Sequence, residues 1–165
     1  MKNTIFIILL LIVNRCNSQR AMKSIHKKDM VVSWFYSPTH IHFEICAPTK
    51  GWATIGFNTT SSIKNTYLLM GNVTNSKPNV VEHYTLSPGN YKSFPDLKIK
   101  NNVIKISGIE NRNQTKLFFS IPIIAIAPYK PILAEGKTYV MLMAYSLEDD
   151  FQHHSIMRTS KKIKL

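Results

Sequence analysis

Polar and apolar residues alternate with a period of two along much of the chain, which is the signature of half-buried β-strands. The clearest case is His40-Ile41-His42-Phe43-Glu44-Ile45, where Ile41, Phe43 and Ile45 share one face and the polar residues the other. Residues 31–36 form a second β-branched and aromatic run, and Ser37-Pro38-Thr39 leaves room for a hairpin and nothing longer. Pro48-Thr49-Lys50-Gly51 then turns the chain into Trp52-Ala53-Thr54-Ile55-Gly56-Phe57, whose small residues at alternate positions allow something to approach the backbone closely. Residues 66–73 are apolar almost throughout, as in a strand covered on both faces, and residues 80–86 return to alternation. Further runs follow at 103–109, 116–124, 138–145 and 160–165, while Pro128 and Pro131 keep residues 125–134 from holding a regular helix. Eight or nine strands with frequent turn signals and no amphipathic helical window predict an all-β fold. The expected form is an antiparallel, immunoglobulin-like, two-layer β-sandwich over residues 29–165.

The ends and the composition adjust this picture. Lys2, the nine apolar residues 5–13 and the small residues before Gln19 have the order of a signal peptide, residues 1–18, cut near Ser18/Gln19. Nine residues fall well short of the ~20 that a membrane-spanning helix needs, so the expectation is a secreted, extracellular protein with no stable membrane insertion. Residues 19–28 are polar and aperiodic and read as a flexible lead-in. Cys16 leaves with the signal, so Cys46 has no partner within the chain. A buried, inert thiol then competes with pairing between chains. Three glycosylation sequons, at Asn58, Asn72 and Asn113, flank strand-like runs at expected loop positions. Losing Lys2 and Arg15 but no acid lowers the formal charge from +12 to +10. That balance favours anionic partners, whether nucleic acid, acidic glycans or an anionic membrane surface, but the lysines are scattered instead of forming one dense block, and a secreted protein rarely meets nucleic acid.

Four stretches in order give the chain a family likeness. They are the Trp34-bearing first strand, Lys50-Gly51-Trp52-Ala53-Thr54-Ile55-Gly56-Phe57, Tyr67-Leu68-Leu69-Met70-Gly71-Asn72-Val73, and Met143-Ala144-Tyr145-Ser146 running through His154 to Arg158. Together they resemble a DOMON domain, the module named after the N-terminal part of dopamine β-monooxygenase. The ending is similar to the monooxygenase-type branch in particular. The resemblance implies a secreted sandwich holding a ligand between its sheets or at their end, and in some branches that ligand is haem b. In the cytochrome branches a Met in the loop after the Gly-Trp element and a His near the C-terminus hold the iron. His154 matches that histidine. The matching loop, however, reads Ser61-Ser62-Ile63-Lys64, with no sulfur, and Met70 lies several residues later. Serine is no substitute for a thioether on haem iron.

Three readings stay open. The first is a non-catalytic module binding a small hydrophobic or aromatic ligand, or haem, near Trp52, Met70 and His154. The second is an extracellular electron-transfer haem cytochrome using His154 and Met70. The third is an interaction module that docks acidic glycans on a basic face. His153 and His154 in a loop, with His83 or with His40 and His42, and with Asp149 or Asp150, are candidates for copper or zinc, although no spacing matches a standard zinc pattern. The alternative role for His154 is a hydrogen bond to Arg158 or to a backbone carbonyl that pins the last loop. Hydroxylase activity is not implied, because separate copper domains carry it in that family. Hydrolysis has no support either: there is no Gly-x-Ser-x-Gly element and no cation evident beside Cys46. Trp34, Phe43, Trp52, Phe57, Phe118 and Phe119 are expected in the core.

Overall fold

The computed structural model describes residues 22–165; the expected signal segment and its cleavage point lie outside them. Eleven strands run β1 (Lys23–Lys27), β2 (Met30–Tyr36), β3 (His40–Ala47), β4 (Ala53–Asn58), β5 (Tyr67–Thr74), β6 (Lys77–Ser87), β7 (Asn90–Ser93), β8 (Ile104–Asn111), β9 (Gln114–Pro122), β10 (Thr138–Tyr145) and β11 (Met157–Lys164). They form a five-stranded sheet in the order β1-β2-β3-β9-β8 and a six-stranded sheet in the order β11-β10-β4-β5-β6-β7. Every pairing is antiparallel. The two-layer all-β sandwich read from the alternation is therefore the fold.

Two strands were not foreseen. Part of the supposed lead-in, β1, pairs with β2 through a turn in which Lys28 and Asp29 both take positive φ. It buries one apolar side chain, Ile25, so five residues carried no periodic signal. The other, β7, is four residues long and pairs with β6 across a bulge. Lysines line three outer edges, Lys23 and Lys27 on β1, Lys105 on β8, and Lys161, Lys162 and Lys164 on β11. Charge of one sign along an open edge discourages another strand from pairing there.

Alternation places Ile41, Phe43 and Ile45 between the sheets, facing Ile55, Phe57 and Leu69. Phe43 packs on Phe57 and Phe119 with ring centroids 5.7 and 5.6 Å away, and Tyr139 meets Phe57 edge-on. Trp34 joins this core. Phe118 does not: it points out of the five-stranded sheet, half-buried, with the Lys116 ammonium 4.8 Å above its ring. Cys46 lies on that same outer face between Val31 and Lys116 and is half-buried. Burial pushes its thiol pKa up, which keeps it protonated and unreactive at neutral pH.

The inter-sheet core contains one charged group at each side of a contact that sequence alternation could not price. Glu82 faces inward from β6 and is fully buried. It accepts hydrogen bonds from Tyr67 Oη at 2.6 Å and from the Asn102 backbone N–H at 2.5 Å. Lys130 Nζ stands 3.5 Å from Glu82 Oε1 and donates to the Pro122 carbonyl at 3.0 Å. Burial lowers the Lys130 pKa against the opposing pull of Glu82, and it raises that of Tyr67, reinforced by Glu82. Stripping water from two ions costs several kcal/mol, so removing one partner is far worse than removing an exposed one. Lys130→Met should destabilise the fold by about 3–5 kcal/mol in urea titration. Lys116→Met, which breaks the half-exposed pair with Glu44, should cost no more than about 1 kcal/mol. Equal losses from the two variants would contradict this account of the buried pair.

Candidate functional site

On strand β5 the odd positions Tyr67 and Leu69 enter the inter-sheet core, while the even positions Leu68 and Met70 turn to the opposite face. There they form a second apolar cluster with Trp52 and Ala144, packed against Tyr91, Leu142 and Phe151. Register aligns two rows across this outer face. One runs Val81, Met70, Thr54, Ala144 and Arg158; the next runs His83, Leu68, Gly56, Leu142 and Ser160. Gly56 is small because of Leu68: a Cβ there would fall 2.5 Å from Leu68 Cδ2. The close approach expected at this glycine is thus made by the protein itself and not by a ligand.

Residues 147–156 cross over the second cluster as a strap. Its start is held by the Gly-Trp element. The Trp52 N–H donates to the Glu148 carbonyl and the Ser146 N–H to the Trp52 carbonyl, each at 3.0 Å, and the Thr49 hydroxyl donates to the Ser146 carbonyl. Gly51 is required for the crossing, since a Cβ there would meet the Glu148 backbone at 2.5 Å. Further along, Asn72 Nδ2 donates to the Asp149 carbonyl at 2.9 Å and Tyr91 Oη to the Phe151 carbonyl. Phe151 stands edge-on to His83, 5.6 Å between centroids, and Ser146 Oγ donates to the His154 carbonyl at 2.9 Å. The last loop is therefore pinned through the His154 carbonyl. Its imidazole is exposed and makes no hydrogen bond among the described residues.

Beside the strap a cavity of about 90 Å³ opens, lined below by Trp52, Leu68, Met70, Leu142 and Ala144 and at its mouth by His153, His154 and Arg158. The three residues singled out from sequence, Trp52, Met70 and His154, thus meet in one pocket. It sits on the outer face of the six-stranded sheet, not between the sheets. Trp52 accordingly belongs to this second cluster rather than to the main core. Two of its polar atoms are unusual. Trp52 Nε1 and Thr85 Oγ1 are buried without a hydrogen-bond partner, and both residues line the pocket. Each such group costs about 1–3 kcal/mol unless something satisfies it. Trp34 Nε1 and Asp149 Oδ1 are also unpartnered, but Trp34 lies in the inter-sheet core and Asp149, on the strap, does not line the pocket.

A larger groove of about 590 Å³ lies between residues 58–65 and 125–131. Its Lys130 is already engaged by Glu82 and Pro122, and Asn58 Nδ2 by the carbonyls of Ser62 and Lys64. None of its lining residues carries a buried, unpartnered polar atom. The smaller pocket is therefore the better candidate.

Haem does not fit the pocket in this arrangement. The donor types are right, a thioether and an imidazole along an apolar floor, but ligand pockets typically enclose about 300–1,000 Å³, far more than is open here. Met70 is 2 % exposed, and the loop position matching the family's methionine contributes Ile63 to the pocket wall instead of sulfur. The copper or zinc expectation fares no better. His40 and His42 are on the other sheet, His83 is buried with Nδ1 on the Val81 carbonyl at 3.0 Å, and among the described residues no three His, Cys, Asp or Glu side chains gather in ligating geometry. Of the sequons, Asn72 is inside β5 and not in a loop, Asn58 ends β4, and Asn113 occupies the exposed β8–β9 turn.

The model of the DOMON domain family matches residues 26–146. Among solved structures, the chain is similar to the cytochrome b domain of pyranose dehydrogenase from Coprinopsis cinerea, with 11% identity and a TM-score of 0.67. It is also similar to the cytochrome domain of Myriococcum thermophilum cellobiose dehydrogenase, at 7% identity and a TM-score of 0.64. Each similarity covers 87% of this chain and 81% of the other. At these identities the likeness is one of fold.

The His83 clasp on Phe151 sets a pH dependence. Burial, the larger effect, holds the imidazole below its ordinary pKa of 6.5, with the Val81 hydrogen bond and Asp96 opposing it. The unfolded chain therefore takes up the proton first as pH falls. Stability present above about 6.5 declines below it, until the folded form titrates as well. Urea unfolding at pH 7 and pH 5 should show this loss, and His83→Phe should reduce it, leaving the part due to His42, whose pKa burial also lowers. The same pH slope in His83→Phe as in the unaltered protein would count against the clasp.

Proposed function

The chain belongs to the DOMON domain family, and on that premise we propose that it is a secreted, non-catalytic, single-domain member that binds a small apolar or aromatic ligand on the outer face of its six-stranded sheet. The observation that carries this reading is the second apolar cluster. A sheet face that, among the described residues, packs against nothing larger than a ten-residue strap still buries Trp52, Leu68, Met70 and Ala144, and it leaves a pocket open among them. Such concave apolar sites with a few convergent polar groups are the usual form of a small-molecule site. On this reading Asn113 is the sequon whose side chain is free to carry a glycan. Asn58 and Asn72 commit their amide nitrogens to backbone carbonyls, whereas Asn113 Nδ2 makes no hydrogen bond among the described residues.

The likeness to two cytochrome domains favours a second reading, a haem cytochrome with His154 and Met70 at the iron. It requires the strap to lift, because the pocket beneath it is too small for a porphyrin. Two titrations separate the readings. Benzyl alcohol, followed by NMR, should shift the Met70 methyl and Trp52 indole signals, and Ala144→Phe, which fills the pocket, should abolish the shifts. Hemin should leave no sharp Soret band. A sharp band lost in His154→Ala would replace the first reading with the second, and no response to either compound would remove both.

A further inference from the structure

We infer that the pocket selects a carboxylate: its ligand is a compact aromatic or apolar acid whose anion is held between the Arg158 guanidinium and the Trp52 indole N–H. The inference deepens the ligand-binding reading above and rests on it. An indole nitrogen only donates, so whatever satisfies Trp52 Nε1 must be an acceptor. The Thr85 hydroxyl, equally buried and unpartnered, lies toward the opposite end of the pocket, beside Thr66 just before β5, and leaves the indole and the guanidinium as the acid's two partners.

Charge points the same way. Arg158, His153 and His154 line the pocket, and no Asp or Glu does. Arg158 donates to Ser155 Oγ at 3.2 Å and forms no salt bridge among the described residues. Asp150 is near enough to add to the burial that raises the Tyr91 pKa, but it is not part of the lining. A guanidinium with a free fork matches a carboxylate in plane and spacing. Register puts it directly beside Ala144, at the end of the row through Thr54 to Met70. A ring lying on Ala144, Leu68 and Met70 would therefore carry its acid group toward the charged end. The size sets an upper bound: an apolar cavity of roughly 150 Å³ holds benzene, so in this one, about 90 Å³, a single ring is the largest apolar group that fits, with its acid group at the open mouth.

Benzoate and the neutral benzyl alcohol test the point, titrated into the protein and followed by the two indole N–H resonances. Benzoate should bind at least tenfold more tightly than benzyl alcohol and move the Trp52 indole proton downfield, leaving that of Trp34 in place. Arg158 is exposed, so Arg158→Gln should fold normally; it should bring benzoate to the affinity of benzyl alcohol and leave benzyl alcohol unchanged. Equal affinities, or benzoate binding indifferent to Arg158→Gln, would overturn the carboxylate assignment while the pocket stands. Binding of neither compound would take the pocket reading down with it.

Discussion

Two backbone hydrogen bonds between Trp52 and the segment 146–148 decide what the outer face of this sandwich becomes. They continue the pairing of β4 with β10 beyond the last regular rung, Ala53 with Tyr145. The chain leaving β10 is thereby held against Gly51 instead of departing into solvent, and only a residue without a side chain permits that crossing. From this anchor the strap passes over Leu68 and Met70, sets Phe151 against His83 and delivers His153 and His154 to the pocket mouth. Without it, an apolar stripe on one sheet would face water.

The protein thus has two apolar regions with different characters. The inter-sheet core is closed, and in its ion pair with Lys130 the Glu82 carboxylate also accepts hydrogen bonds from Tyr67 and Asn102. A buried ion pair adds little net stability, but this one ties the 125–134 segment to β6 at a defined place. The outer cluster is small, partly open and imperfectly satisfied, with an unpartnered indole N–H and hydroxyl in a pocket that a guanidinium without a salt bridge among the described residues also lines. Local conflicts of that kind concentrate where a protein binds something.

The architecture could be read from the chain because a two-residue period translates directly into faces: Ile41, Phe43 and Ile45 had one place to go. The apolar run in β5 also carried its message, since both of its faces are covered. Which layer covers which face was beyond it. The expectation that Trp52 would join the core missed that, though aromatic like Trp34, it precedes β4 and turns outward. Glu82 alternates as any polar residue would, and nothing local shows that it faces inward to meet Lys130, 48 positions away. His154 was found as a position but not in its contacts, because the bond that fixes it comes from its carbonyl. Arg158 and Thr85 gained meaning only from the register that brings β11 and β6 to the same face.

Amide hydrogen exchange at Trp52 and Ser146 is the most direct measurement of the anchor. If the strap is locked to the Gly-Trp element, both amides should be as protected as those in the centre of β4, exchanging together and only when the whole domain opens. Exchange at the rate of the exposed turn around Gly89, with β4 still protected, would mean that the crossing is loose and that the pocket has no fixed wall.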